Sequence, residues 1–140
     1  MANTLIVLTY AHTGLGHLRV TNALIAGLPS GTDYTIFETA DTSTEFMHRF
    51  SSLNTVARYF LEWLQRGLPE KIFTKFYRNY LKKHSQKLIP QFTTLIKSQK
   101  NHYENIIIVS THFGLAHQLG AIKKQLESEL STKIYLKFDL

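Results

Sequence analysis

Apolar positions along the chain fall into two kinds of run. Short, nearly unbroken stretches of β-branched and aliphatic residues occur at 4–10, 34–37, 105–110 and 133–138. Stretches of this length predict strands. The near-continuous apolar character of the first and third predicts burial on both faces, as in a parallel sheet. Elsewhere apolar residues recur at helical spacing. A first helix is expected from about His17 to Leu28, with Leu18, Ala23, Leu24 and Leu28 turned inward and Pro29-Ser30-Gly31 as its stop. A last helix from about Gly114 to Leu130 spaces Leu115, Leu119, Ile122 and Leu126 by four, three and four residues.

The interval between Asp41 and Tyr103 is too long for one crossover. Within it Leu53, Val56, Ala57, Phe60, Leu61 and Leu64 repeat as one face of an amphipathic helix. After Gly67-Leu68-Pro69, where proline suits a first helical turn, a second helix is expected. Ile72, Phe73, Phe76, Tyr77, Tyr80 and Leu81 form its apolar stripe, and Lys71, Lys75, Arg78 and Lys82 its basic one. Pro90 is expected to kink or split this helix. The resulting order, β-α-β, a helical insertion over about 43–100, then β-α-β, predicts an α/β fold. One Rossmann-like domain with an open parallel sheet and right-handed crossovers is expected to span 1–140. The chain stops at Asp139-Leu140, directly after a strand and without a closing helix, which leads us to expect a piece of a longer protein.

Composition narrows this picture modestly. A chain of 140 residues, 44% apolar and 19% charged, is an ordinary globular sequence with room for one core. The absence of cysteine excludes disulfides and thiolate zinc sites, and favours a cytoplasmic setting. No apolar run approaches the roughly 18 residues that a membrane span needs. The charge is unevenly placed. Between Arg58 and Lys100, ten Lys/Arg face only Glu62 and Glu70, so this segment carries +8 and the remainder −2. A local field of that sign attracts anionic membranes, nucleic acid or phosphorylated ligands.

Two strand ends carry the candidate chemistry. The first strand runs into Thr13-Gly14-Leu15-Gly16-His17 and then a helix. Glycines there allow close approach of a ligand, and the helix start offers unpaired N–H groups and a positive dipole end. That field keeps the His17 imidazole neutral, a state suited to a general base. The P-loop pattern fails, since no Lys-Ser/Thr follows the glycines. The dinucleotide pattern G-x-G-x-x-G is half met, with Arg19 at its third glycine and Glu38 near the place of a ribose-binding acid. A nucleotide- or NAD-dependent Rossmann enzyme is therefore one alternative, and a non-enzymatic basic module binding nucleic acid another. The third strand ends in Ser110-Thr111-His112-Phe113-Gly114, on the same edge of a parallel sheet. Four histidines (12, 17, 112 and 117) without carboxylate-rich spacing do not predict a metal site.

Taken in order, Gly14, Gly16 and His17 with Arg19 and Ala23, then Leu68-Pro69, Phe76-Tyr77-Arg78, Ser110-Thr111-His112 and Phe138-Asp139 carry a resemblance across essentially the whole chain. It resembles the amino-terminal domain of monogalactosyldiacylglycerol synthase-type glycosyltransferases, which include processive diacylglycerol glucosyltransferases. Leu15 and Phe113 depart from the small residue and the proline usual in that family. The resemblance implies the amino-terminal half of a GT-B fold, inactive alone, whose missing carboxyl-terminal domain takes the UDP-hexose donor. It implies a hexosyltransferase acting on diacylglycerol in glycolipid synthesis, peripheral to the cytoplasmic side of a membrane. His17 resembles the family's glycine-loop base. Thr13, Gly14, Gly16, Thr111, His112 and Asp139 resemble acceptor-site residues. Trp63, Lys71, Lys75, Arg78 and Lys82 are expected to meet an anionic membrane. No cofactor is expected in this domain, and no nucleic acid partner.

Overall fold

The computed structural model describes residues 3–11, 15–39, 55, 56, 59, 63 and 68–138. Along the chain these form β1 (Thr4–Ala11), α1 (Leu15–Ala26), β2 (Tyr34–Thr39), α2 (Leu68–His84), a 3-10 turn (Ser85–Lys87), α3 (Leu88–Lys97), β3 (Asn105–Ser110), α4 (Phe113–Leu130) and β4 (Lys133–Phe138). The four strands are hydrogen-bonded in the order β2-β1-β3-β4, every neighbouring pair parallel. The fold is therefore α/β with an open, Rossmann-like parallel sheet. The insertion after β2 supplies α2 and α3.

Alternation along the strands decides which side each helix covers. Leu5 and Val7 of β1, Phe37 of β2, Ile106 and Ile108 of β3 and Ile134 of β4 join one buried cluster. The same cluster takes Leu88, Ile89, Phe92 and Ile96 of α3 and Leu115, Leu119, Ile122, Leu126 and Leu130 of α4. Phe92 meets Phe37 edge-on, ring centres 5.2 Å apart. The intervening residues Leu8 and Tyr10 are also buried, on the opposite face. There α1 packs on β1, whereas α4 packs on β1, β3 and β4 with α2 and α3 against it.

Some expectations shift. The first helix begins two residues earlier, at Leu15, so Gly16 lies inside α1 rather than in the turn before it, and His17 stays in the first turn as expected. Ala23 is exposed, while Thr21 is fully buried. Only one face of β3 is fully buried, its residues alternating between buried and half-buried. Val56, expected to face inward, is 77% exposed. The helix expected to break at Pro90 breaks instead at Ser85–Lys87, where the buried Ser85 hydroxyl donates to the Lys82 carbonyl at 2.7 Å. Pro90 is the third residue of α3, a first-turn position whose N–H has no partner inside the helix.

Candidate functional site

The strand order creates a switch point. From β1 the chain moves through α1 to β2 on one side, and from β2 it returns to β3 on the other. Thr9 of β1 pairs with Ser110 of β3, so the carboxyl ends of these two central strands lie side by side. Crevices outside such ends are where open α/β sheets receive ligands. One border is the start of α1, with Gly16 exposed and His17 in the first turn. Among the described residues, a Cβ built on Gly16 would meet no heavy atom within 4 Å. Thr13, Gly14, Asp139 and the His17 side chain lie outside the described residues.

The other border is Ser110-Thr111-His112, tightly held. The Ser110 hydroxyl donates to the His112 carbonyl at 3.0 Å, and the Thr111 N–H donates to the Thr9 carbonyl at 3.1 Å. The Thr111 hydroxyl reaches the same carbonyl at 3.4 Å. His112 is the residue that precedes α4, with φ −127° and ψ 119°, and its Nδ1 accepts from the Leu115 N–H at 3.3 Å. An accepting Nδ1 places the ring hydrogen on Nε2. His112 is thus a helix cap, a duty its residue type does not announce. Beside it, Thr9 is fully buried, and among the described residues its hydroxyl has no hydrogen-bond partner.

Helix α2 crosses over this start of α4. A Cβ on Gly114 would lie 3.1 Å from His112 Cε1 and 3.3 Å from the Tyr77 hydroxyl, so the glycine keeps this crossing tight and a larger residue would push these side chains back by a few tenths of an ångström. One turn on, His117 packs against the exposed Phe113, ring centres 4.4 Å apart and nearly perpendicular. Burial, and then the positive charges of Arg78 and Lys82, push the His117 pKa below its ordinary value.

The two stripes read from the α2 sequence resolve into three faces. Leu81 is buried and Tyr77 half-buried toward α4, while Ile72, Phe76 and Tyr80 form a separate, exposed apolar row. Phe76 is 71% exposed. Lys71, Lys75, Arg78 and Lys82 are exposed along another flank, and Trp63 is exposed as well. Among the described residues, no helix is long and apolar enough to cross a membrane.

Glu38, the candidate ribose acid, sits opposite Tyr10 in the β1–β2 register. Burial, a hydrogen bond to Glu38 and the charge of Glu38 raise the Tyr10 pKa, so this carboxylate is engaged by the protein. A cleft of about 360 Å³ lined by Lys100, His102, Tyr103 and Glu129 lies at the opposite, amino-terminal edge of the sheet, away from His17 and His112. Among the described residues, no three His, Asp or Glu side chains gather as metal ligands would. Neither a protein-family pattern, nor a curated protein, nor a solved structure matches the chain.

Proposed function

We propose that this domain is the acceptor- and membrane-binding half of an inverting glycosyltransferase that moves a hexosyl group from a UDP-sugar to diacylglycerol. The observation that carries the reading is the surface of α2. An exposed row of Ile72, Phe76 and Tyr80 runs beside the basic row of Lys71, Lys75, Arg78 and Lys82. A nucleic acid would use the cations and leave the apolar row idle. A bilayer uses both, burying the row at the headgroup boundary while each nearby Lys/Arg contributes about 1 kcal/mol on an anionic leaflet. Tyr77 of the same helix touches the start of α4, so a lipid held there lies close to the switch-point crevice.

In this reading His17 takes the proton of the acceptor hydroxyl as its oxygen attacks the anomeric carbon. The sugar–phosphate bond breaks with its electron pair going to UDP, and the configuration inverts. A base in that role contributes about 10²–10⁴-fold. The open space at Gly16 admits the acceptor headgroup, and Thr111 and His112 form the facing wall. Thr13, Gly14 and Asp139 complete the acceptor site, and a carboxyl-terminal GT-B domain brings the donor. The protein works at the cytoplasmic face of the membrane without spanning it. The engagement of Glu38 by Tyr10 weighs against the nicotinamide alternative.

Two assays test the proposal. The chain should float with vesicles containing phosphatidylglycerol, and Ile72→Ser/Phe76→Ser should release it. Equal flotation of the variant, or none by the wild type at low salt, refutes the membrane role. Hexose transfer to diacylglycerol, measured with the donor domain present, should collapse in His17→Ala; unchanged turnover removes His17 as base.

A further inference from the structure

The sheet ends at β4, which in the order β2-β1-β3-β4 is hydrogen-bonded on one side, to β3. The Lys133 N–H donates to the Glu104 carbonyl at 3.1 Å on that side. Backbone groups of successive strand residues point in opposite directions. Those of Lys133, Tyr135 and Lys137 therefore serve the ladder with β3, and those of Ile134 and Leu136 point out of the sheet. The Ile134 N–H donates to the Glu127 carboxylate at 3.0 Å, an acceptor standing where the carbonyl of a fifth strand would stand. Among the described residues, the outward N–H and carbonyl of Leu136 have no such partner. On one face of this edge Lys133, Tyr135 and Lys137 are all exposed, and among the described residues neither lysine makes an ion pair. A groove of about 910 Å³ follows the first half of the strand, between Lys133, Ile134 and Tyr135 and the side chains of Lys123 and Glu127 on α4. Two acids line it. Glu127 is held by the Ile134 N–H and by Lys123 at 3.7 Å, and Glu104 lies just before β3.

We propose that the outer edge of β4 is a docking site for an extended acidic segment of another protein, which adds to the sheet as a fifth strand. Main-chain hydrogen bonds at Leu136 and the Ile134 carbonyl supply the pairing, and alternate side chains supply the selectivity. Whichever way the added strand runs, a residue set opposite Tyr135 places those two positions before and after it opposite Lys133 and Lys137. The segment that fits therefore carries an acid, an apolar or aromatic residue and a second acid at alternate positions. Charge disfavours a second copy in this place. Two β4 strands paired antiparallel about Tyr135 would set Lys133 against Lys137, and like charges directly opposite are destabilising. The chain also lacks the fitting pattern, since its only acids four residues apart are Asp41 and Glu45, on either side of Ser43. The site requires neither a bilayer nor glycosyl transfer, so it stands or falls separately.

The test titrates two end-blocked peptides into the isotope-labelled chain at physiological ionic strength. One is Thr-Glu-Ile-Tyr-Ile-Glu-Thr, the other the same peptide with lysine for both glutamates. The acidic peptide should bind and slow amide hydrogen exchange at Leu136 above all, because the Ile134 N–H already has its acceptor. Lys133→Glu/Lys137→Glu, which turns two cross-strand attractions into repulsions, should weaken the acidic peptide by roughly tenfold and admit the lysine peptide instead. Lys97→Glu/Lys100→Glu, which reverses the same charge elsewhere, should keep the wild-type preference. Binding without protection of Leu136 reduces the contact to surface charge and overturns the added strand. A Leu136 amide already protected in the free chain also overturns it, because a second copy or another part of this chain then covers the edge. No binding by the wild type, or an acidic preference that survives Lys133→Glu/Lys137→Glu, overturns the acidic partner.

Discussion

Replacing His112 by alanine should destabilise the domain without touching its core. The side chain accepts one hydrogen bond from the Leu115 N–H at 3.3 Å, which satisfies one of the donors that α4 leaves unpaired at its start. Caps of this kind are worth about 0.5–2 kcal/mol. A distance at the long end of hydrogen-bond geometry argues for a middling value, about 1 kcal/mol. For a chain of 140 residues the unfolding entropy then translates the loss into a Tm lower by about 3–4 °C. In urea the midpoint should fall by roughly 0.3–1 M at an unchanged slope. Asparagine at the same position also presents an acceptor to the helix start, so His112→Asn should keep most of the stability. Thermal melts followed by circular dichroism, alongside urea titrations of the three proteins, decide the matter. If His112→Ala melts with the wild type, the cap contributes nothing. If His112→Asn falls as far as alanine, the imidazole stabilises through contacts other than this hydrogen bond.

Thr9→Val replaces a buried hydroxyl that has no partner among the described residues with a methyl of the same shape, and should raise stability by about 1 kcal/mol; a loss in the urea midpoint would show that the hydroxyl is satisfied. Tyr103→Phe removes the 3.0 Å hydrogen bond to Asp33 that ties the start of β3 to the segment before β2, and should cost about 1 kcal/mol by the same titration. An unchanged midpoint would mean that Asp33 loses nothing when the phenol goes. The His117 pKa is held below 6.5, so on acidification the unfolded chain takes up the proton first. That contribution is whole above about pH 6.5 and fades as the pH falls through the folded value. His117→Gln should flatten this part of a stability-against-pH curve, and an identical curve for the variant would contradict the assignment.

Much of the scaffold was legible because its signals are redundant. β3 and β4 fall on the residues their apolar runs indicate, and all four spaced residues of α4, Leu115, Leu119, Ile122 and Leu126, are buried. The break before α3 was legible only in part. Proline draws attention to position 90, yet a proline in a first turn needs no break, and the real one rests on a serine bonding back to Lys82. Periodicity also could not separate the two apolar rows of α2. Both repeat at helical spacing, and only the packing of α4 decides that Leu81 goes inside and Phe76 outside. At the site, parallel strands implied that His17 and His112 share an edge. The capping role of His112 stayed hidden because histidine is not among the usual caps. Its place three residues before Leu115, between a strand and a helix, was the available signal.

The two borders of the switch-point crevice are anchored unequally. The start of α4 is clamped by α2, by the sheet and by its own cap, while among the described elements α1 packs on β1 and leaves Val20 about half exposed. Amide hydrogen exchange should therefore divide the crevice into a slow wall and a fast one. The α4 amides should exchange only with large openings of the domain, and those of α1 through local excursions of far lower free energy. A ligand bridging the two would register chiefly as slowed exchange in α1. The helix that carries His17 is thus the part of the molecule whose exchange rate best reports occupancy.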